Sequence, residues 1–134
     1  MKFKDLSVTF HTDKITECVD YYIKYFHAKM VFDAGWYVTV RLESDKNSPI
    51  FISFQSSEKI TRNNFTGGVT LNLLTGDVDE YYRELKKSGI LFLEEITDHT
   101  WGDRAFSVQD PIGNIVYIYS EREMGDEYKP AIKE

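Results

Sequence analysis

Three histidines and one cysteine are the side chains with which this 134-residue chain could hold a transition metal or form a covalent intermediate. Their spacing offers little for either. Cys18 stands alone, so it can form neither an intrachain disulfide nor a cysteine-pair zinc motif. It falls on the apolar stripe of a helix, where a buried structural thiol is expected and not a nucleophile. His11 sits at the exit of the first strand. His27 ends the first helix, where a cation offsets the helix dipole. His99 lies in the loop Asp98-His99-Thr100-Trp101-Gly102-Asp103, with no evident partner that would make it a base. Glu94 and Glu95 form a carboxylate pair, but neighbours in a strand point to opposite faces, so they make no acid/base couple. Glu121 is read as a solvated strand end.

Aromatic side chains offer a different chemistry, the stacking of a flat ligand. Trp36 and Trp101 are the best anchors, and a stacked pair is worth about 0.5–1.5 kcal/mol beyond the area it buries. Tyr117 and Tyr119 alternate in the run Ile115-Val116-Tyr117-Ile118-Tyr119, so each offers one ring and one hydroxyl to the same side. Tyr21, Tyr25 and Tyr81 lie off the helical stripes and are read as surface or interface residues.

The elements that must position these groups are legible from periodicity. Leu6-Ser7-Val8-Thr9-Phe10 alternates and reads as a half-buried strand. Ile15, Cys18, Val19, Tyr22 and Phe26 recur at helical spacing, and Thr12 or Asp13 is placed to cap that helix. MVFD, WYVTVRLE and PIFISFQ read as three strands, broken by Gly35 and by the polar segment SDKNSP. After the polar connector SSEKITRNNFTGG the pattern begins again. Val69-Thr70-Leu71-Asn72-Leu73 alternates, and GDVDEYYRELKKSG reads as a helix with Asp77 or Asp79 at its start and Gly89 at its end. ILFLEEI, RAFSVQ and NIVYIYS follow as strands. Asp110-Pro111-Ile112-Gly113-Asn114 is a tight turn in which proline sets φ and glycine supplies a positive φ.

Each half is therefore β-α-β-β-β. A shift of 63 positions pairs Val8 with Leu71, Phe10 with Leu73, Ile15 with Val78, Val19 with Tyr82 and Tyr22 with Leu85. Strand phase and helix phase agree in one register, and duplication accounts for that better than chance. By alternation Val8, Phe10, Leu71, Leu73, Val116 and Ile118 face helices. Ser7, Thr9, Thr70, Asn72, Ile115, Tyr117 and Tyr119 face the other way, toward a small-molecule cleft.

Composition bounds the function. A hydrophobic content of 42% suffices for a packed core, and no apolar run approaches the roughly 20 residues that span a bilayer. The opening MKFKDLSVTF alternates and lacks an unbroken apolar stretch, so no signal peptide is read and a cytoplasmic location is expected. A net charge of −6 argues against nucleic-acid binding and accommodates a cationic ligand. The tail EREMGDEYKPAIKE lacks periodicity and is expected to be loose or to contact a partner.

Two tandem β-α-β-β-β modules closing on a strand–DPIGN–strand hairpin resemble the vicinal oxygen chelate superfamily, which includes glyoxalase I, extradiol dioxygenases and bleomycin-resistance proteins. The resemblance runs from about Phe3 to Glu121. Its most specific piece is WGDRAFSVQDPIGN, and GDVDEYYRELKKSGI is similar to the family's second helix. It implies an α+β fold in which the two modules form a curved mixed sheet around a cleft. Module one covers about 3–56, module two about 66–121, and a polar tail 122–134, all in one domain. Arg104 belongs to the signature and is read as structural, paired with Asp103 or Asp110.

Enzymes of the family bind a divalent ion through His, Glu or Gln. The resemblance places three of those positions at Ser7, Thr70 and Tyr117, and a fourth among Ser53, Phe54 and Gln55. Hydroxyls are poor ligands at neutral pH. The resemblance thus points to the metal-free, bleomycin-resistance-like branch, with no cofactor and no catalytic residue. The expected ligand residues are Ser7, Thr9, Thr70, Asn72, Trp101, Tyr117 and Tyr119, sequestering a planar or cationic compound, and a homodimer is expected. His99 borders the ligand in this reading. The alternatives are a glyoxalase- or dioxygenase-like metalloenzyme with shifted ligands such as His11, Gln55 or Glu121, and a protein-contact domain whose cleft is filled by its own tyrosines. Whether modules pair within a chain or between chains stays open.

Overall fold

The computed structural model describes residues 1–45, 47–59 and 63–133. Lys46 of the SDKNSP segment, residues 60–62 of the connector and Glu134 of the tail lie outside the described residues. The chain divides into two compact units, Met1–Gly67 and Gly68–Glu134.

Module one contains β1 (Val8–His11), α1 (Ile15–Phe26), β2 (Lys29–Asp33), β3 (Tyr37–Leu42) and β4 (Ile50–Gln55). Its four-stranded sheet runs in the order β1-β4-β3-β2, with β1 parallel to β4 and the other pairs antiparallel. Module two contains β5 (Thr70–Leu74), α2 (Val78–Lys87), β6 (Phe92–His99), β7 (Asp103–Gln109) and β8 (Ile115–Glu121). Its sheet runs β5-β8-β7-β6, again with one parallel pair, β5 with β8. The two sheets share one topology, and each helix begins at the same point of the repeat: Ile15 and Val78 are both first helical residues and both buried.

Each module buries one sheet face beneath its helix. In module one Cys18 and Tyr22, both fully buried, belong to α1, and Val40 and Phe54 belong to the sheet. In module two Val78 and Leu85 of α2 accompany Phe106, Val108 and Val116. The equivalent rows are packed differently. Module one aligns Phe10, Phe54 and Val38 across β1, β4 and β3, whereas module two aligns Leu73, Ile118 and Phe106 across β5, β8 and β7. The bulk has moved between strands while the row stays filled, as close packing requires.

Local signals place most boundaries. The Asp77 side chain accepts the Glu80 N–H at 3.1 Å and caps α2, and Gly89 takes a φ of +76° just past its end. Neither expected cap closes α1. Thr12 accepts the Lys14 N–H at 3.0 Å, and Asp13 accepts from Ser57. His27 follows α1 in the left-handed region at φ 54°. Asp110 organises the β7–β8 turn by accepting the N–H groups of Ile112 and Asn114 and the Asn114 side-chain amide, at 2.8–3.1 Å.

Four further expectations are corrected. The first strand starts at Val8, not Leu6, and the Leu6 N–H goes to the Asp5 carboxylate at 2.7 Å instead of to a ladder. Ser7 is therefore exposed ahead of the ladder. His99 is the last residue of β6 and not a loop residue, because it pairs with Asp103 of β7. Arg104 pairs with neither Asp103 nor Asp110. Alternation turns it to the helix side of β7, where it donates to both oxygens of Asp79 in α2 at 3.0–3.2 Å and to Asp98 at 3.0 Å. That fork holds the Asp79 carboxyl below its ordinary range. The tail, finally, returns to module two. Arg122 N–H donates to Gly102 O, Gly125 N–H donates to Thr100 O, and a short 3-10 turn forms at Lys129–Ala131. No helix among the described residues is long and apolar enough to cross a membrane.

Candidate functional site

The exposed face of the module-two sheet gathers five of the seven expected ligand residues. Asn72 and Ser107 flank Tyr117 as its register partners on β5 and β7, and Leu74 and Ala105 flank Tyr119. Thr70 and Asn72 are exposed, whereas Tyr117 and Tyr119 are half-buried with rings 5.9 Å apart. Trp101 occupies the β6–β7 turn and is 46% exposed. The other two expected residues are in module one. Thr9 shares a 2.8 Å hydroxyl bond with Tyr37, and Ser7 precedes β1.

The centre of the module-two cluster is Asp103, which the sequence reading placed only as a salt-bridge option for Arg104. Asp103 Oδ2 accepts the Tyr117 hydroxyl at 2.7 Å and the Trp101 indole N–H at 3.1 Å. Its Oδ1 lies 2.7 Å from His99 Nδ1, and His99 Nε2 lies 2.9 Å from Glu94 Oε1. His99 thus has a carboxylate at each ring nitrogen. Its ring also stacks on the Trp101 indole, with centroids 4.1 Å apart and planes 8° apart. Tyr128 of the tail meets the same indole edge-on at 6.4 Å. A network with every partner in place is rigid, and rigidity holds Trp101 and Tyr117 as a preformed wall.

One signal for this network was present in the chain. His99, Trp101 and Asp103 are spaced i, i+2, i+4 around a turn, a spacing that puts three side chains on one side. Glu94 carried no such signal. Strict alternation separates Glu94 from His99, five residues apart, onto opposite faces. The register shift between Glu94 and Thr97, which lies between the two, restores them to one face. Glu95 goes to the helix side, where it accepts the Tyr82 hydroxyl. The two carboxylates therefore do diverge, as alternation requires.

The Tyr117 phenol is pushed well above its usual range, first by burial and then by its bond to Asp103. A raised pKa means the folded state keeps this proton while an exposed tyrosine gives it up. The associated stability is complete below about pH 10 and fades as the pH climbs beyond it. In an alkaline titration followed at 295 nm, Tyr117→Phe is expected to remove one late-ionising phenol. An unchanged titration of the variant would count against the assignment.

Among the described residues no three His, Cys, Asp or Glu side chains are arranged to hold a metal ion. The positions that the resemblance ties to metal binding carry an exposed Ser7, an exposed Thr70 and the Tyr117 phenol. Glu121 is exposed at the end of β8, opposite Asp103. This donor set does not match a divalent-cation centre.

Two β-α-β-β-β modules with a shared strand order are the architecture of the vicinal oxygen chelate superfamily. The chain belongs to the glyoxalase-like domain family, which it matches over residues 6–123. No curated protein matches it. Among solved structures it is similar to a glyoxalase/bleomycin resistance protein/dioxygenase from Nocardioides, at 14% identity and a TM-score of 0.73, covering 93% of this chain and 87% of that one. It is similar to the lactoylglutathione lyase of Agrobacterium tumefaciens at 16% identity and a TM-score of 0.67, covering 90% and 95%. A superfamily member from Sphaerobacter thermophilus DSM 20745 gives 24% identity and a TM-score of 0.63, covering 86% and 94%. At these identities the likeness is one of fold.

Proposed function

We propose that this chain is a small-molecule-binding protein that sequesters a planar, cationic compound against the module-two sheet face, without metal chemistry. The observation that carries this reading is the state of Tyr117. It stands where the resemblance puts a metal-binding carboxylate, and its proton is committed to Asp103. A phenol ligates a divalent ion well only after losing that proton, which burial opposes here.

The rest of the face suits a flat cation. Trp101 offers an open indole surface, and Tyr117 and Tyr119 add two more rings. Asp103 and the exposed Glu94 add negative charge beside them, and Thr70 and Asn72 on β5 offer hydroxyl and amide contacts. Of the groups expected from module one, Thr9 already answers Tyr37 and Ser7 stands ahead of the ladder, so the reading rests on module two. The homodimer belongs to the same proposal. Edge strand β2 exposes Met30, Val31 and Phe32 by 43–54%, an apolar edge that a second copy would cover. The buried Cys18 thiol, the chain's one cysteine, fits a reducing cytoplasm.

Titration with planar cationic dyes, read by Trp101 fluorescence before and after chelator treatment, tests the proposal. Binding is expected to survive chelation, and Trp101→Ala is expected to weaken it about tenfold, the equivalent of about 1.4 kcal/mol. Stoichiometric metal that returns after chelation, with dye binding that depends on it, would sink the reading in favour of a metalloenzyme of glyoxalase or dioxygenase type.

A further inference from the structure

The tail returns to module two at the β6–β7 turn, and its backbone holds it there. Arg122 N–H donates to Gly102 O at 2.8 Å, and Gly125 N–H donates to Thr100 O at 2.7 Å. Gly125 passes so close that a Cβ there would stand 3.0 Å from Thr100 O. None of these contacts needs an aromatic side chain, yet they bring the Tyr128 ring to Trp101. The two ring centroids are 6.4 Å apart and the planes 88° apart. Neither residue belongs to a sheet. Trp101 lies between β6 and β7, and Tyr128 lies beyond the end of β8.

Two rings at a right angle offer two walls to one guest. A cation seated in the angle lies within about 6 Å of both centroids, the range over which a ring face attracts it. The first wall is fixed, because Asp103 holds the Trp101 indole N–H at 3.1 Å and His99 stacks on the ring. Trp101 nevertheless stays 46% exposed, and Tyr128 is half-buried. Glu127 Oε1 lies 3.6 Å from the Cβ position of Gly125, which puts a carboxylate beside the same turn. The tail's own cations are engaged elsewhere. Lys129 pairs with Asp126 at 2.6 Å, Arg122 donates to Glu121 O, and Lys133 donates to Pro130 O. Among the described residues the lysines that lie over rings are Lys24 and Lys86, on Tyr25 and Tyr82.

We propose that Trp101 and Tyr128 form a two-walled cage for a methylated ammonium group, so that the tail supplies the second wall of the ligand site. N-methyl groups spread the positive charge over a surface that can rest on both rings, whereas a bare ammonium is strongly hydrated and keeps its water. The inference rests on the module-two reading, in which Trp101 is the anchor. It narrows the cation of that reading to an N-methylated amine and places its charged end outside the sheet face.

The test follows the Trp101 indole N–H in proton–nitrogen NMR spectra of the full chain. Choline chloride is the probe, and the uncharged alcohol in which carbon replaces the choline nitrogen is the control. Choline is expected to give a saturable shift, and the control to bind about tenfold more weakly. Tyr128→Leu is expected to weaken choline binding about tenfold with an unchanged Tm, and Tyr128→Phe to keep it, since the ring and not the hydroxyl is required. No saturable shift with choline would overturn the proposal, and so would equal binding of the uncharged control, which marks a merely apolar contact. A Tm lowered by several degrees in Tyr128→Leu would overturn it too, because the ring would then be a packing residue. Dye binding at the sheet face is titrated separately. Dye that binds where choline does not refutes the cage alone, and choline that binds where dyes do not refutes the sheet-face reading.

Discussion

Asp103→Ala is expected to lower stability by about 2–4 kcal/mol and to abolish dye binding at the module-two face. The carboxylate is buried and accepts from Tyr117, Trp101 and His99 at 2.7–3.1 Å. Removing it leaves three polar groups without their acceptor, and hydrogen bonds to a charged partner are worth about 1.5–3 kcal/mol each before non-additivity is counted. The orientation of Trp101 depends on the same acceptor, so binding falls with stability. Urea denaturation followed by far-UV circular dichroism and indole fluorescence measures both. A loss under about 0.5 kcal/mol would mean the network is solvated and contributes as a surface contact does. Asp103→Asn separates charge from shape. It keeps one acceptor oxygen, so an intermediate loss is expected, with Tyr117 ionising earlier because its charged partner is gone.

Phe106→Ala is expected to cost about 3–5 kcal/mol, the range for emptying a fully buried ring site. Phe106 is 0% exposed, and its ring lies 5.5 Å from Tyr82 of α2 and 5.7 Å from Phe92 of β6. It is the residue through which helix and sheet of module two meet. For a chain of this size such a loss lowers Tm by roughly 10–20 °C. The equivalent row of module one carries Val38 at this place and Phe54 on the neighbouring strand. Val38→Ala is accordingly the smaller perturbation, and thermal scans of the two variants give the comparison. Equal losses would contradict the exchange of bulk between the rows.

Ser7 and His99 show where local pattern misleads. The alternation of Leu6 to Phe10 is sound, yet the ladder begins only at Val8, and the Leu6 N–H goes to the neighbouring Asp5 side chain. The polar string around His99 looks like a loop, yet it continues β6 because Asp98 and His99 find partners in Arg104 and Asp103 across the turn. In both cases hydrogen bonds mark the boundary, and hydropathy carries no trace of them.

Strand phase, helix stripes, the DPIGN turn and the 63-residue repeat were determined by the sequence itself. They rest on contacts between near neighbours, whose spacing of 2 or 3.6 residues is written along the chain. The same spacing put Tyr117 and Tyr119 on one face and sent Glu94 and Glu95 apart. Only the tertiary structure decided that Asp103 collects Tyr117, Trp101 and His99, that Glu94 reaches His99, and that Arg104 turns to Asp79. Those contacts depend on which strands pair and, for Glu94, on the register shift between Glu94 and Thr97. A single added residue reverses every side chain beyond it, so cross-strand register is settled by the assembled sheet.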